Sequence, residues 1–463
     1  MKVMKFGGSS LADSSRIRGV AAIVRNAMED EPVAIVLSAM KGITDSSISA
    51  ARRAELGDPG YTQVLEDLRR RHMTTIEELL PEENAEEPIT VISSLVDELF
   101  DLLHGVELIR ECSDRTMDLV LSFGERLNCL TFAAFLTASG QPAEFVDARD
   151  MILTDSTHGS AVVDYTETYQ RTARRLHRAA GIPVISGFVA SSADGVTTTL
   201  GRNGSDYTAS LVGAAVSASA VEIWTDVDGV MSADPRCVPQ SFVIPEISLQ
   251  EAMELSYFGA EVIHPYTMLP AVERDIPLWI KNTLNPSARG TRISGHPVPH
   301  ERAITGLASV GDVALINVEG GGMLGIPGMA SRVFGALAKA GVNIIMISQA
   351  SSEHSICLCI RESQLERAGA FLRDELREEL EQRRIDQFKE QPGLEIVAVI
   401  GENMRGRPGI SGRVFSALGS AGVNVLAIAQ GSSEMNISFV IDRADRDLTL
   451  GVVHDAFFSQ ESS

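Results

Sequence analysis

The chain has 463 residues, of which 44% are hydrophobic and 22% charged, a composition typical of a globular protein with roughly two to four domains. Lys and Arg number 40 against 62 Asp and Glu, and the net charge of −22 argues against binding nucleic acid or an anionic membrane by bulk charge. No apolar run reaches the ~18 residues of a membrane span, and the N-terminus lacks a signal-peptide pattern. Five scattered cysteines in hydrophobic stretches are typical of reduced core thiols, so we expect a soluble, cytoplasmic protein.

Short apolar runs alternate with helical patterns through the first 300 residues. The strand patterns lie at 33–37, 182–186 and 221–225, and helical patterns lie at 15–27 and 206–220. Residues 61–110 are helical and charge-rich, which predicts an inserted helical subdomain. This alternation predicts an α/β fold with an open, mainly parallel sheet covered by helices, and ligands bind such sheets at the loops beyond the carboxyl ends of the strands.

Four of these loops carry residues suited to anion binding. In Lys5–Ser10 (KFGGSS), adjacent glycines let backbone amides approach a phosphate beside a lysine. The second loop is 38–45 (SAMKGITD). The third, 197–206, places two glycines, an arginine fork and Ser205-Asp206 at a helix start, which suits a carboxylate or phosphate clamp, although Ser205 or Asp206 could equally cap the helix. The fourth, 224–236, contains three aspartates that are also typical of turns.

Two familiar nucleotide motifs are rejected. Gly320–Gly325 fits GxGxxG, but Pro327 and Gly328 separate it from its helix, and no acidic residue follows to hold a ribose. A GxxxxGK[ST] loop is absent from the sequence, and no pair of histidines has metal-ligand spacing.

An internal repeat follows the first 300 residues. Residues 326–360 align without gaps on 407–441, with 18 identities in 35 positions at an offset of 81. Each copy predicts a strand–helix–strand–strand unit of the α+β class. The charged stretch 361–392 between the copies predicts a solvent-facing helix.

Taken together, the motifs resemble the aspartate kinase family. The matching segments, in order, are KFGGSS (5–10), SAMKGITD (38–45), SFGERL (122–127), TTTLGRNGSDYTA (197–209), TDVDGVMSADPR (225–236) and FGAEVIHP (258–265). The resemblance spans nearly the whole chain. The repeat motifs ISQASSE (347–353) and IAQGSSE (428–434) most resemble bifunctional aspartokinase–homoserine dehydrogenases, so we expect a kinase of that lineage standing alone, or its kinase half.

The resemblance implies a domain plan and a reaction. Residues 1–300 would form an amino-acid kinase catalytic domain, 301–390 a first ACT domain with a connecting helix, and 391–463 a second ACT domain. The reaction would transfer the γ-phosphoryl group of ATP, with Mg²⁺ carried by the ATP, to the side-chain carboxylate of L-aspartate. The product, 4-phospho-L-aspartate, begins lysine, threonine and methionine biosynthesis. A carboxylate with a pKa near ~3.9 is already ionised at neutral pH, so the reaction needs positioning and positive charge but no general base.

Site residues follow from the matched motifs. The resemblance implies Lys5 and Asp206 as catalytic residues, with Asp206 orienting Lys5. It assigns ATP binding to Lys5, Gly7, Gly8, Ser9, Thr225, Asp226, Met231, Asp234 and Arg236. It assigns aspartate binding to Ser38, Thr44, Glu125, Phe188, Arg202 and Ser205, with Arg202 gripping a carboxylate and Glu125 pairing with the ammonium group. Two positions depart from the family pattern, in which many members carry Tyr in place of Met231 and Lys in place of Glu261.

The repeats resemble amino-acid-sensing ACT modules, which pair between subunits and bind an end product at the joint. The resemblance implies an effector site with polar contacts from Asn343, Gln349, Asn424 and Gln430, threonine favoured over lysine, and a homodimer or higher oligomer formed through these modules. In the alternative interpretation, the modules only hold the dimer together.

Two further functions remain open from the sequence. One is a catalytically weakened, amino-acid-binding regulator, which only Glu261 favours. The other is a kinase of the same fold acting on glutamate, acetylglutamate or a nucleotide, against which SFGERL, GRNGSDYTA and the tandem repeat all argue.

Overall fold

The computed structural model describes residues 1–259, 264–298, 302–320, 328–349, 355–385 and 387–459. These residues form two compact units. The first unit comprises Met1–Val230, Pro245–Leu249 and His264–His296. The second comprises Met231–Ile244, Gln250–Ile263 and Pro297–Ser463. The predicted catalytic segment 1–300 therefore contributes two internal stretches, 231–244 and 250–263, to the second unit.

The first unit is built on an eight-stranded sheet. Its strands are β1 (Lys2–Phe6), β2 (Val33–Leu37), β3 (Ala143–Val146), β5 (Ile182–Ser186), β8 (Val221–Thr225), β9 (Glu246–Ser248), β10 (Leu278–Asn282) and β11 (Thr291–Ser294). They lie in the order β3-β5-β2-β1-β8-β10-β11-β9 and are parallel from β3 to β10, while β11 is antiparallel to β10. The predicted open, mainly parallel sheet is confirmed. A second, three-stranded sheet contains β4 (Leu153–Thr154), β6 (Val189–Ser192) and β7 (Thr197–Thr199).

Helices of the first unit cover this sheet. They are α1 (Ser14–Met28), α2 (Ile43–Leu56), α5 (Asp114–Ala138), α6 (Tyr165–His177), α7 (Gly204–Val216) and α9 (Leu269–Val272). Met4 and Phe6 belong to a core shared with residues of α1 and α5. Because side chains alternate along a strand, Lys5 points to the opposite face of β1, where α7 packs.

The predicted helical subdomain is confirmed as two helices, α3 (Tyr61–Leu79) and α4 (Glu82–Ile109), inserted between α2 and α5. The helix α5 that follows has the length and apolar composition of a membrane span, with a mean hydropathy of 1.3, yet 67% of that window is buried inside the protein. Burial in the core of the protein therefore explains the apolar composition of α5.

The two sequence repeats share one sheet in the second unit. Its strands are β12 (Gly306–Glu319), β13 (Ile344–Gln349), β14 (Ser355–Arg361), β15 (Gln387–Ile400), β16 (Ala427–Ala429) and β17 (Asn436–Asp442), in the order β13-β14-β12-β15-β17-β16. The leading strand of each repeat, β12 or β15, pairs antiparallel with the other, so that Gly306 lies opposite Ile400. Its helices are α8 (Leu249–Tyr257), whose first residue belongs to the first unit, α10 (Met329–Lys339), α11 (Leu365–Glu375), α12 (Arg377–Glu381), α13 (Ile410–Ser420) and α14 (Arg446–Phe458).

The expectation of a solvent-facing helix over 361–392 is partly wrong. Helices α11 and α12 end by Glu381, and β15 begins at Gln387. Ala368 and Leu372 of α11 are fully buried in the same core as Val333 of α10. Helix α11 is therefore a packed part of the first repeat, because a narrow apolar stripe lies within its charged sequence.

Candidate active site

The carboxyl ends of four neighbouring strands bring three of the four predicted loops into one row. The backbone amide of Ser38, after β2, donates to the carbonyl of Phe6 at 3.2 Å, and that of Gly187, after β5, donates to Leu37 at 2.9 Å. The amide of Gly7 donates to Trp224 of β8 at 3.2 Å. The edge of the sheet thus positions the loops after β1, β2, β5 and β8 side by side.

The pair formed by Lys5 and Asp206 lies at this edge. Lys5 Nζ is 2.6 Å from Asp206 Oδ1, and the two side chains are only 12% and 9% exposed. Helix α7 begins at Gly204 with Asn203 as its N-cap, so neither Ser205 nor Asp206 serves as the N-cap. Asp206 instead holds the lysine ammonium at the end of β1, as a group that orients Lys5 would.

The glycine loop approaches its neighbour too closely for side chains. A Cβ on Gly8 would lie 2.9 Å from the carbonyl oxygen of Ala39, and one on Gly7 would lie 3.5 Å from Lys5 Nζ. The backbone of residues 7–9 therefore lies beside both the lysine and the loop after β2. The amides of Gly8 and Ser9 suit a phosphate there, whereas the amide of Gly7 donates to the carbonyl of Trp224.

Glu125 is a buried acid on α5 beside this loop. The backbone amide of Ala39 hydrogen-bonds its carboxyl group, whereas Oε2 has no hydrogen-bond partner among the described residues. Burial raises its pKa to about 8, and Lys5 offsets only part of that rise. A buried carboxyl group with an unused oxygen is suited to receiving a cation.

The remaining residues predicted to bind aspartate lie after strands or at the starts of helices in the first unit. Ser38 follows β2, and its carbonyl accepts a hydrogen bond of 2.7 Å from Asn128 Nδ2 of α5. Thr44 is the second residue of α2, and Ser205 the second of α7. Phe188 follows β5 with a φ of +69°, and its amide donates to Thr208 Oγ1 at 3.0 Å.

Arg202 lies in the turn between β7 and α7. Its side chain is exposed, and in the described part of the chain no carboxylate pairs with it. The turn follows Gly201, whose φ is +75°. An exposed guanidinium in the turn that leads into α7, the helix that carries Asp206, is suited to gripping an external carboxylate.

The predicted nucleotide residues divide between the two units. Thr225 ends β8 and Asp226 follows it in the first unit, where Asp226 is exposed. Met231, Asp234 and Arg236 belong to the second unit, and their part in nucleotide binding stays a prediction. Glu261 lies outside the described residues.

Asp234 is held by cations of its own unit. Its Oδ2 lies 2.8 Å from Arg236 Nη2 and 3.1 Å from Arg446 Nη2 of α14. The hydrogen bonds from Arg236, with Arg446 adding its charge, hold the pKa of Asp234 below its usual range.

Sequence analysis missed a polar segment after β10. The Thr283 hydroxyl donates to the carbonyl of Thr225 at 2.9 Å and is hydrogen-bonded with Ser10 Oγ at 2.9 Å. The side-chain amide of Asn282 donates to Asp228 Oδ1 at 2.8 Å. Asn282 ends β10 and Thr283 follows it, so polar residues at the carboxyl end of a strand are the signal that could have revealed them.

A second missed group supports the turn that carries Arg202. Buried Asp118 of α5 accepts hydrogen bonds from Thr199 Oγ1 at 2.6 Å and from the Gly159 amide at 3.1 Å, and lies 2.8 Å from His158 Nδ1. Thr199 is the last residue of β7, so Asp118 fixes the chain immediately before that turn.

The four predicted effector contacts are exposed in the second unit. Asn343 and Gln349 flank or end β13, and Asn424 and Gln430 occupy the corresponding positions around β16. The outer strands of the two repeats approach each other, since Ser348 Oγ donates to the carbonyl of Ile428 at 2.8 Å. β13 and β16 are the two edge strands of the six-stranded sheet, and this hydrogen bond brings them together. One pair of predicted effector contacts lies at each of these strands.

Metal-binding side chains do not cluster in the part of the chain that the structure describes, where no group of three His, Cys, Asp or Glu could hold an ion. Asp206 supplies a carboxylate oxygen beside Lys5, and Ser9 supplies a hydroxyl in the glycine loop that follows Lys5. Oxygen donors with few protein carboxylates suit Mg²⁺ that arrives with substrate phosphates.

Known families match both parts of the chain. The model of the amino acid kinase family matches residues 1–282, and that of the ACT domain matches residues 316–376 and 397–457. These matches agree with the α/β unit and with the tandem repeat.

Named relatives match the chain over its full length. It is 36% identical to a bifunctional aspartokinase/homoserine dehydrogenase 1, chloroplastic, of Zea mays, with 100% of this chain and 51% of that protein aligned. It is 34% identical to aspartokinase 1, chloroplastic, of Arabidopsis thaliana, over 98% of this chain and 80% of that protein. The chain thus spans about half the length of the bifunctional relatives.

Solved structures give the same result. Aspartokinase III of E. coli in complex with aspartate and ADP superposes with a TM-score of 0.78 at 30% identity, covering 99% of this chain and 100% of that one. The same enzyme in complex with lysine and aspartate gives a TM-score of 0.81 at 31% identity, covering 99% of both chains.

Proposed function

The chain belongs to the amino acid kinase family and, within it, to the aspartokinases, and on this basis we propose that it phosphorylates the side-chain carboxylate of L-aspartate with ATP. The product is 4-phospho-L-aspartate, which supplies lysine, threonine and methionine biosynthesis. The observation that carries the proposal is the buried Lys5–Asp206 pair at the glycine loop, where the charge of Lys5 also acts on buried Glu125. E. coli aspartokinase III, which shares the fold, has been solved with aspartate and ADP.

Charge and position perform the reaction in this proposal. The aspartate carboxylate is an ionised nucleophile, so the protein has to bring it to a triphosphate without repulsion. Lys5, oriented by Asp206, neutralises the transferred phosphoryl group, and the amides of Gly8 and Ser9 bind its oxygens.

The same site discriminates the amino acid. Arg202 binds a carboxylate of the substrate, and Glu125 receives its ammonium group. Because its pKa is raised to about 8, Glu125 is largely protonated at pH 7 when no substrate is bound. An arriving ammonium group favours its ionisation. Glu125 thereby couples substrate recognition to the loss of a proton from the protein.

Mg²⁺ enters this proposal together with ATP. Asp206, beside Lys5, and Ser9 of the glycine loop are the oxygen donors that would hold it, and when bound it would neutralise charge on the phosphates. Asp206 also keeps Lys5 in place.

A side-by-side assay tests the proposed function. ADP release is measured with ATP, Mg²⁺ and either aspartate or glutamate, for the wild type, Lys5→Ala and Lys2→Ala. We expect the wild type to turn over with aspartate and not with glutamate. The rate with aspartate should fall on the order of 10²–10³-fold or more in Lys5→Ala and stay near normal in Lys2→Ala. Lys2 is the matched control because it lies on the same strand but pairs with Glu222. When Lys2 is replaced, Glu222 still has Lys281 as a partner, whose Nζ lies 3.5 Å from Glu222 Oε1.

The other functions that the sequence left open are outcomes of this assay. Turnover with glutamate alone would assign the chain to a same-fold kinase for another small acid. Binding of aspartate without turnover by the folded protein would identify a regulator.

We also propose that the repeats bind an amino-acid effector and form a homodimer or higher oligomer. The resemblance to bifunctional enzymes favours threonine, whereas E. coli aspartokinase III has been solved with lysine. Calorimetric titration of the wild type and of Asn343→Ala/Asn424→Ala with each amino acid tests this. Heat with threonine that the double variant abolishes is expected, while silence with both amino acids leaves the repeats a purely structural role.

A cytoplasmic location is part of the proposal. Its support is that Cys112, Cys129, Cys237, Cys357 and Cys359 are all free thiols. Burial raises the pKa of Cys359 to about 12, which keeps that thiol protonated. Cell fractionation with an antibody to the chain tests the location.

A further inference from the structure

Arg71 connects the inserted helices to two loops of the candidate site. Its Nη2 donates to the carbonyl of Ala12 at 2.8 Å, and its Nη1 donates to the carbonyl of Lys41 at 2.7 Å. Ala12 ends the glycine loop that follows β1, and Lys41 lies in the loop that follows β2. One guanidinium of α3 therefore bridges the loop assigned to phosphate and the loop assigned to aspartate.

The two carbonyls are equivalent positions of two helices. Backbone hydrogen bonding of α1 begins with the Asp13 carbonyl, which accepts from Ile17, and that of α2 begins with the Gly42 carbonyl, which accepts from Ser46. Ala12 and Lys41 each stand one residue earlier, so their carbonyls fall outside the helical hydrogen-bond pattern. Arg71 satisfies both with its planar fork.

The loops are already in contact on the other side of this bridge. Gly8 lies so close to Ala39 that an added Cβ would be 2.9 Å from its carbonyl oxygen. The loops thus meet at Gly8 and Ala39, and Arg71 ties them at Ala12 and Lys41. Two separated contacts fix both their spacing and their angle.

Helix α3 is itself fixed against the first loop's helix. Ser14 Oγ of α1 donates to Glu78 Oε2 at 2.5 Å, and Arg18 of α1 donates to the Glu78 carbonyl. His72, the residue that follows Arg71 in α3, is wholly buried in the core. Arg71 therefore extends from a rigid element, which a positioning residue requires.

We propose that Arg71 is a positioning residue for phosphoryl transfer, through which the inserted α3–α4 hairpin sets the alignment of the phosphate loop with the aspartate loop. The proposal rests on the proposed function for the identity of the two substrates. Each loop can still bind its own substrate when Arg71 is lost, but the two bound substrates are then misaligned. The expected change is in kcat and much less in either KM.

The test compares Arg71→Met, Arg71→Lys and Arg70→Met with the wild type. Arg70 is the matched control because it is the neighbouring residue, is 71% exposed and pairs with Asp67 on the surface. We expect kcat to fall on the order of a hundredfold in Arg71→Met, with each KM changed less than about threefold. Arg71→Lys should recover part of kcat because an ammonium can still donate to a carbonyl, and Arg70→Met should match the wild type.

Hydrogen–deuterium exchange of the same proteins, measured without substrates, separates this proposal from the proposed function. Arg71→Met should speed exchange in both 7–12 and 38–44, whereas Arg70→Met should not. If Arg71→Met speeds exchange in both loops but the wild type has no aspartate kinase activity, the bridge is retained and the proposed function is refuted. Unchanged exchange in either loop, or a normal kcat in Arg71→Met, would overturn the positioning role.

Discussion

Glu125 shows how one residue can serve recognition at a cost to stability. Its side chain is buried on α5, and the amide of Ala39 satisfies only part of its hydrogen-bonding capacity. Because burial raises its pKa from 4.5 to about 8, the native state binds a proton over a pH range in which the unfolded chain does not. Such perturbation is typical of groups held ready for a ligand.

This pKa predicts a pH-dependent stability difference between the wild type and Glu125→Gln. The stabilising contribution of the protonated acid is complete below about pH 4.5 and is lost as pH rises to about 8. The unfolding free energy of the wild type relative to Glu125→Gln should therefore fall by roughly 1.4 kcal/mol per pH unit in that window. Urea unfolding of both proteins without substrate at pH 5, 6, 7 and 8 measures it, and parallel curves would contradict the raised pKa.

Arg202 offers a prediction that separates the two substrates. The exposed guanidinium grips a carboxylate of aspartate in our account, and a charge-assisted pair of this kind is worth about 1.5–3 kcal/mol. Arg202→Ala should raise the KM for aspartate roughly ten- to hundredfold and leave the KM for ATP nearly unchanged. Steady-state kinetics with each substrate varied in turn measures both constants. A larger rise in the KM for ATP would place Arg202 on the nucleotide side.

Sequence reasoning at this scale succeeds where a residue follows its own strand or opens its own helix. Lys5 and Asp206 belong to such positions, and the parallel sheet brings them together. Arg71 was missed because its partners are 59 and 30 residues away along the chain. Helical phase places it beside buried Leu68 and His72, but no local pattern tells which carbonyls it meets.

At the scale of elements, Arg446 of α14 joins three parts of the second unit. Its Nε lies 3.1 Å from Glu395 Oε1 of β15 and 3.3 Å from Ser309 Oγ of β12, while Nη2 reaches Asp234. The Glu395 side chain is only 3% exposed, and burial raises its pKa. The last helix is thereby tied to both central strands and to the segment that carries three predicted nucleotide residues.

Removing this arginine should therefore destabilise the second unit. Arg446→Met leaves the buried Glu395 without its closest cation, and such a loss costs roughly 3–5 kcal/mol. Thermal and urea unfolding measure it, with the exposed pair of Arg377 and Asp374 as control, where Arg377→Met should change stability by less than about 0.5 kcal/mol. The double change Arg446→Met/Glu395→Gln should recover much of the loss. Equal stabilities of Arg446→Met and the wild type would refute the role of this pair.

The elements themselves could be predicted where the hydrophobic period was strong. Strands β2, β5 and β8 of the first unit and the helical insertion over 61–110 were predicted from the sequence. Strand β15 was mistaken in part for helix because residues 387–392 are polar except for Phe388 and Pro392, and they join the sheet only through pairing with β12. Pairing between distant strands is a tertiary effect that a local window does not contain.

For the whole molecule, the charge of −22 has to be reconciled with the two anionic substrates of the proposed function, and the reconciliation is local. Lys5 lies at the end of a strand and Arg202 in a turn before a helix, so a few cations and backbone amides can gather charge that the overall field repels. The family models and the superposed structures match residues of both units, in agreement with a kinase unit followed by a tandem repeat. The division of the predicted nucleotide residues between the units could not be read from sequence, because it depends on where 231–244 packs.

Direct trapping of the acyl phosphate tests the central claim. The chain is incubated with ATP, Mg²⁺ and aspartate in the presence of hydroxylamine, which converts an acyl phosphate into a hydroxamate. The product is then identified by mass spectrometry, with Lys5→Ala treated in parallel. Aspartyl hydroxamate from the wild type, and none from the folded variant, is the predicted result. Absence of the hydroxamate from the folded wild type, or equal amounts from both proteins, would contradict the account.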